Sequence, residues 1–156
     1  MPIRRILHGL IVVAAACAAA GAAGGAELKV LTAGAFKPVV AALAPVFEGQ
    51  TGHTVRIDND TAGALARRIG NGEAFDVVVL TPAAMEPLEQ AGRVARGSSV
   101  RLARVAIGVA VKQGAPLPAI GSESALRQAL LAARAVAYID PAAGGSSGIY
   151  LAQLFQ

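Results

Sequence analysis

The chain has 156 residues, 54% of them hydrophobic, 4% aromatic and 15% charged, with one Cys, no Trp and a formal charge of +4. That length is enough for one ordinary domain or two small lobes with a real core, and so high an apolar share excludes a disordered chain. A single cysteine excludes an internal disulfide framework and a cysteine-rich zinc site.

At the start of the chain Arg4 and Arg5 precede an apolar stretch from Ile6 to Ala20, and small residues then run to Ala26. This is the pattern of a secretory signal peptide over residues 1–26, with cleavage after Ala22 or Ala26. The Gly- and Ala-rich second half is too weakly hydrophobic for a spanning helix. Cys17 follows three alanines without the usual lipoprotein Leu, so it reads as a small apolar residue of the signal rather than a lipid anchor. The arginine pair matches a twin-arginine signal only loosely. Loss of Arg4 and Arg5 with the signal lowers the formal charge from +4 to +2. The remaining bases are scattered and not interleaved with aromatics, which argues against a nucleic-acid partner.

The rest alternates strand and helix. Leu28 to Leu31 is a short β-type run ended by Thr32-Ala33-Gly34. Phe36, Val39, Val40, Leu43, Val46 and Phe47 recur at helical spacing up to about Glu48, with Pro38 in the first turn and Pro45 predicting a kink or an early stop. Thr54–Asp58 alternates as a second strand, and Asp60 or Thr61 caps a helix over Ala62–Ile69. Phe75–Leu80 reads as a parallel strand buried on both faces, followed from Thr81-Pro82 by a helix that Gly92 stops. Three β-α units in succession predict a parallel sheet with right-handed crossovers. Beyond them, Val100–Val111 and Ala135–Ile139 are predicted strands, Ser122 caps a helix through Leu131, and a last helix runs from Ile149 to Phe155. There is no internal repeat beyond this rhythm.

The informative feature is where strands hand over to helices. Thr32-Ala33-Gly34-Ala35, Asp60-Thr61-Ala62-Gly63-Ala64 and Gly144-Gly145-Ser146-Ser147-Gly148 are all small and mostly uncharged. Each precedes or opens a helix whose first N–H groups lack internal acceptors and carry the positive end of the dipole. Such loops hold a small anion through N–H and hydroxyl donors without a cationic side chain.

The runs Leu31-Thr32-Ala33-Gly34-Ala35-Phe36, Ala62 to Ile69, Phe75 to Leu80, and Asp140-Pro141 leading to Ser147-Gly148-Ile149-Tyr150 resemble the periplasmic molybdate-binding proteins of ABC importers, within the type II solute-binding proteins. The resemblance covers nearly all of residues 28–155. It implies an α/β, type II periplasmic-binding-protein-like fold, two lobes with parallel-type sheets flanked by helices. The ligand would be a small anion such as molybdate or tungstate held between the lobes, and the protein, a periplasmic monomer, would dock on an inner-membrane permease. On this reading lobe one spans 27–103 and part of lobe two 104–156. The second lobe is incomplete, because the family continues well past the final helix. The ligand-binding residues expected are Thr32, Ala35, Thr61, Ala62, Ser146 and Ser147, with no resident cofactor. The family pattern has a ligand-contacting Ser where this chain has Ala35 and another where it has Ala62, which removes two hydroxyl donors. Each such loss costs about 1.5–3 kcal/mol toward a charged ligand.

Two other classes remain open from the residues. Gly144-Gly145-Ser146-Ser147-Gly148 formally matches G-x-S-x-G, the nucleophile elbow of an exported α/β hydrolase, but only His8 and His53 exist and both precede the Ser. An exported, non-catalytic interaction domain is the other. No nucleotide cradle occurs, and one mature His makes no metal site.

Overall fold

The computed structural model describes residues 24–156, so the body of the predicted signal, with Arg4, Arg5 and Cys17, lies outside the described residues. Strand β1 (Glu27–Ala33) is central: it pairs in parallel with β2 (Thr54–Asp60) on one side and β3 (Val77–Val79) on the other. The register sets Ala33 opposite Asp60 and Thr32 opposite Val79. All three strands therefore end at one edge of the sheet.

A 3-10 turn (Gly34–Phe36) leads from β1 into helix α1 (Lys37–Thr51), which carries Pro38 in its first turn. Pro45 lies inside this helix without stopping it. The proline removes one N–H from the ladder, while the turns on either side persist to Thr51. Gly52, at φ 73°, ends the helix in the left-handed conformation and its N–H donates to the Glu48 carbonyl at 2.8 Å. Helix α2 (Ala62–Gly70) follows β2, and α3 (Pro82–Gln90) follows β3. The connection from β1 steps to one side of the sheet and that from β2 steps back across β1 to the other. Right-handed crossovers therefore place α1 on one face and α2 on the opposite face. Leu31 alternates away from Val30 and Thr32, and clusters with Leu65 and Ile69 of α2 and Leu88 of α3. Phe75, Val78, Leu80 and Val94 pack around that cluster.

The second part of the chain departs from expectation. Val100–Val111 and Ala135–Ile139 are not strands: they have no ladder partner among the described residues, and Val100 and Val105 are 76% and 65% exposed. Their alternating apolar pattern marks segments able to pair, but a strand forms only where a neighbour supplies the complementary N–H and C=O groups. The single sheet described is thus the three-stranded one. Helix α4 (Glu123–Ala132) is capped by Ser122, whose hydroxyl accepts from the Ala125 N–H at 3.2 Å. A short 3-10 turn (Pro141–Ala143) precedes helix α5 (Ser146–Leu154), which starts three residues earlier than Ile149. Gly145 takes the extended cap position, so the serines form the first turn instead of a loop. Among the described residues no helix is long and apolar enough to cross a membrane.

Leu65 is fully buried where α2 meets the sheet and α3. Leu65→Ala lowers unfolding free energy by about 2–5 kcal/mol, read as a lower urea midpoint with the slope unchanged.

Candidate functional site

The connections diverge at the carboxyl end of β1: the helix after β1 lies on one face, the helices after β2 and β3 on the other. In an open α/β sheet of order β2-β1-β3 this is the topological switch point, and the crevice outside the strand ends is where ligands are held. Two of the three predicted loops sit on this edge by strand register, and the third is brought against one of them, Asp60 to Ala64.

Thr61 stands at the junction. Its Oγ1 accepts from the Ala64 N–H at 3.1 Å, capping α2, and donates to the Ala143 carbonyl at 2.6 Å across 82 residues. Beside it the Gly63 N–H donates to the Gly144 carbonyl at 3.0 Å. The two glycine backbones approach so closely that a Cβ on Gly63 would lie 2.8 Å from the Gly144 Cα, and Gly144 itself holds φ 78°. Gly145 and Gly148 are closed off in turn by Ile139, so the 144–148 loop is built tightly against the extended segment that leads into it. These contacts give the glycines a structural reason that sequence patterning alone assigned only to tight turning.

Each predicted ligand-binding residue has a definite place. Ala62 is buried as the first residue of α2, with no intrahelical acceptor for its N–H. Ser146 and Ser147 form the first turn of α5, the former exposed and the latter half-buried, and α5 has no side-chain cap. Ala35 is exposed in the turn after β1. Thr32 is fully buried and its hydroxyl turns to the Ala33 carbonyl at 3.3 Å; the Thr61 hydroxyl is committed to Ala143. The structure thus brings the Thr61–Gly63 and Gly144–Ser147 loops into contact and sets Ala35 at the same edge.

Sequence reasoning passed over Thr81. Continuing the β3 register places it on the same edge, at the N-cap of α3, with no side-chain cap hydrogen bond. It also passed over an ion-pair network behind the site. The Arg68 guanidinium, in the last turn of α2, meets Asp58 at 2.5 Å and both oxygens of Glu73 at 2.5 and 2.7 Å, with Asp60 at 3.8 Å. Lys29 Nζ meets Glu73 at 2.7 Å. The legible signal was two Asp residues on alternate positions of β2 followed by an Arg on the adjoining helix. Hydrogen bonds from Arg68 and then Lys29 hold the Glu73 carboxyl down at about 2, against an ordinary 4.5. The hydrogen bond from Arg68 likewise lowers Asp58, against a partial opposing effect of desolvation. The same carboxylates hold the Arg68 guanidinium more firmly protonated.

Among the described residues no histidine lies beside the nucleophile-elbow match. Ser146 sits at the carboxyl edge of the sheet, whereas His53 lies just before β2, at the amino edge, where its Nδ1 accepts from the Ala26 N–H at 2.8 Å and its ring stacks on Phe47. His8 is outside the described residues. Among the described residues no group of three or more His, Cys, Asp or Glu is placed to hold a metal ion.

A parallel α/β fold with a switch point at its strand ends agrees with what residues 28–156 match as a whole: the model of the bacterial extracellular solute-binding protein family. The chain belongs to that family. It is also similar to an aconitate isomerase of Pseudomonas sp., 37% identical over 134 residues that cover 81% of this chain and 49% of the relative. The chain therefore spans about half the length of that relative. Among solved structures it matches the periplasmic molybdate-binding protein of Azotobacter vinelandii at 36% identity and a TM-score of 0.41, over 42% of this chain and 29% of that one.

A carboxyl depressed in the folded state contributes stability above its unfolded pKa and loses it as pH falls through the folded value. For Glu73 that window runs from about 4.5 down to about 2. Urea titrations across this range show the wild type losing stability, while Glu73→Gln is less stable at neutral pH and loses less on acidification. Thr61→Ala removes the α2 cap and lowers stability by about 1 kcal/mol; the same titration at pH 7 reads it.

Proposed function

We propose that this is an exported, periplasmic solute-binding protein of an ABC importer that holds a small anion between two lobes, residues 27–103 and 104–156. The observation that carries this reading is the meeting of the α2 N-terminus with the 144–148 loop at the sheet's switch point. The donors in this reading are the Ala62 N–H at the start of α2, the first-turn N–H groups of α5, the turn at Ala35, and the hydroxyls of Ser146 and Ser147, the Gly63 and Ala64 N–H groups being engaged by Gly144 and Thr61. Thr32 and Thr61 act behind them, shaping and capping the loops. A signal-like segment over residues 1–26 and membership of an extracellular solute-binding family support export, and the permease is the partner such a protein serves.

The anion class follows from the donor set. Ala35 and Ala62 supply N–H but no hydroxyl, so a tetrahedral oxyanion such as molybdate or tungstate meets fewer donors than in the family pattern. A small carboxylate engages N–H pairs without needing them. The similarity to an aconitate isomerase favours a second reading, in which the chain shares its fold with an enzyme that acts on a small carboxylate. Both readings require the same anion-holding edge.

Calorimetry on the mature chain with molybdate, tungstate, sulfate, citrate and aconitate separates them, with aconitate isomerisation followed by NMR on the same sample. Heat with an anion and no turnover supports the binding protein, and turnover of aconitate supports the enzyme. No heat and no thermal shift with any of the five anions overturns the anion site.

A further inference from the structure

The cradle just described is flanked by carboxylates, which an anion site must neutralise. Asp60, the last residue of β2, accepts the Thr61 N–H on Oδ1 at 2.7 Å, immediately before α2. Asp58 lies two residues back on the same strand. Left alone, these fixed negative charges oppose any anion approaching the α2 N-terminus and offset the favourable dipole there. Arg68 is the cation that reaches both, with Nη2 on Asp58 at 2.5 Å and Nη1 3.8 Å from Asp60 Oδ2. Glu73 grips the other edge of the guanidinium through Nε and Nη2, and Lys29 offsets the charge of Glu73. Lys29, Asp58, Asp60, Arg68 and Glu73 thus carry three negative and two positive charges. Removal of Arg68 alone doubles the net negative charge behind the site.

We propose, resting on the anion-site reading above, that Arg68 is a positioning residue for that site. It offsets part of the negative charge of Asp58 and Asp60 beside the α2 N-terminus and so sets how tightly an anion is held there. Arg68 lies roughly 9 Å down the helix axis from Ala62 by backbone rise, but its side chain reaches back along β2, with Nε and Nη2 engaged by Glu73 and Asp58. It acts through the two Asp residues. At roughly 9 Å from the anion and an effective dielectric of about 20–40, one uncompensated charge changes anion affinity about five- to twentyfold.

The test uses the mature chain, with molybdate and citrate as probes in calorimetry at low and high salt. Arg68→Met weakens binding about five- to twentyfold at low salt, and the loss shrinks at high salt as screening takes over. Adding Asp58→Asn and Asp60→Asn to Arg68→Met restores affinity, which a merely structural role for the arginine would not produce. Should Arg68→Met fail to fold, Asp58→Asn with Asp60→Asn in the wild-type background decides, and it tightens binding. Unchanged affinity in Arg68→Met, a triple variant as weak as the single one, or a double Asp variant that binds more weakly overturns the inference alone. A wild type that binds neither probe overturns the anion site and the inference with it.

Discussion

Strand β1 is hydrogen-bonded along both edges, seven residues to β2 and three to β3, and this double pairing decides where the rest of the molecule lies. Because all pairs are parallel, the three strands release their chains at one edge. Because β1 is in the middle, its following helix and that of β2 must take opposite faces. The buried trio Val30, Leu31 and Thr32 holds the strand in register: a slip by one residue would turn Leu31 out of the cluster it forms with Leu65, Ile69 and Leu88. The carboxyl edge is therefore a product of core packing. The loops there are free to be small because burial elsewhere fixes their positions.

That division of labour explains why so little of the candidate site is side chain. The α2 N-terminus is fixed at one end by Thr61, which caps it and reaches across to Ala143. At the other end Arg68 ties the last turn to β2 and to the loop after α2. Gly63 and Gly144 then pack backbone against backbone, which no residue with a Cβ allows at that spacing. Helix geometry leaves the Ala62 N–H and the first-turn N–H groups of α5 without intrahelical acceptors, and such groups are natural partners of an anion.

Much of the first part of the chain is legible in its sequence, for reasons visible in particular residues. The helix over Ala62–Gly70 announces itself by Thr61 at its cap and by Leu65 and Ile69 at helical spacing, and the valines of β3 by their unbroken apolar run. The α/β class and parallel order follow from that rhythm. Val100–Val111 misleads because alternation records the capacity to pair and not the presence of a partner. Pro45 gives no early stop: the helix absorbs one missing N–H and runs on to Thr51. At the site, Thr61, Ala62 and the serines could be placed by their loop positions. The contact of Gly63 with Gly144 depends on three-dimensional approach, which no local pattern encodes, whereas the reach of Arg68 to both Asp residues left a faint trace in the alternate Asp positions of β2 and the Arg on the adjoining helix.

The central claim is that an anion is held by backbone N–H groups at the carboxyl edge of the sheet. Amide NMR of the mature, isotope-labelled chain during titration with molybdate or citrate tests it most directly. Saturable shifts of the Ala35, Ala62 and Ser147 N–H signals with a common midpoint are expected, while the Leu65 and Ile69 signals in the core stay nearly fixed. Saturable shifts confined to residues away from this edge, or none with either anion, would contradict it.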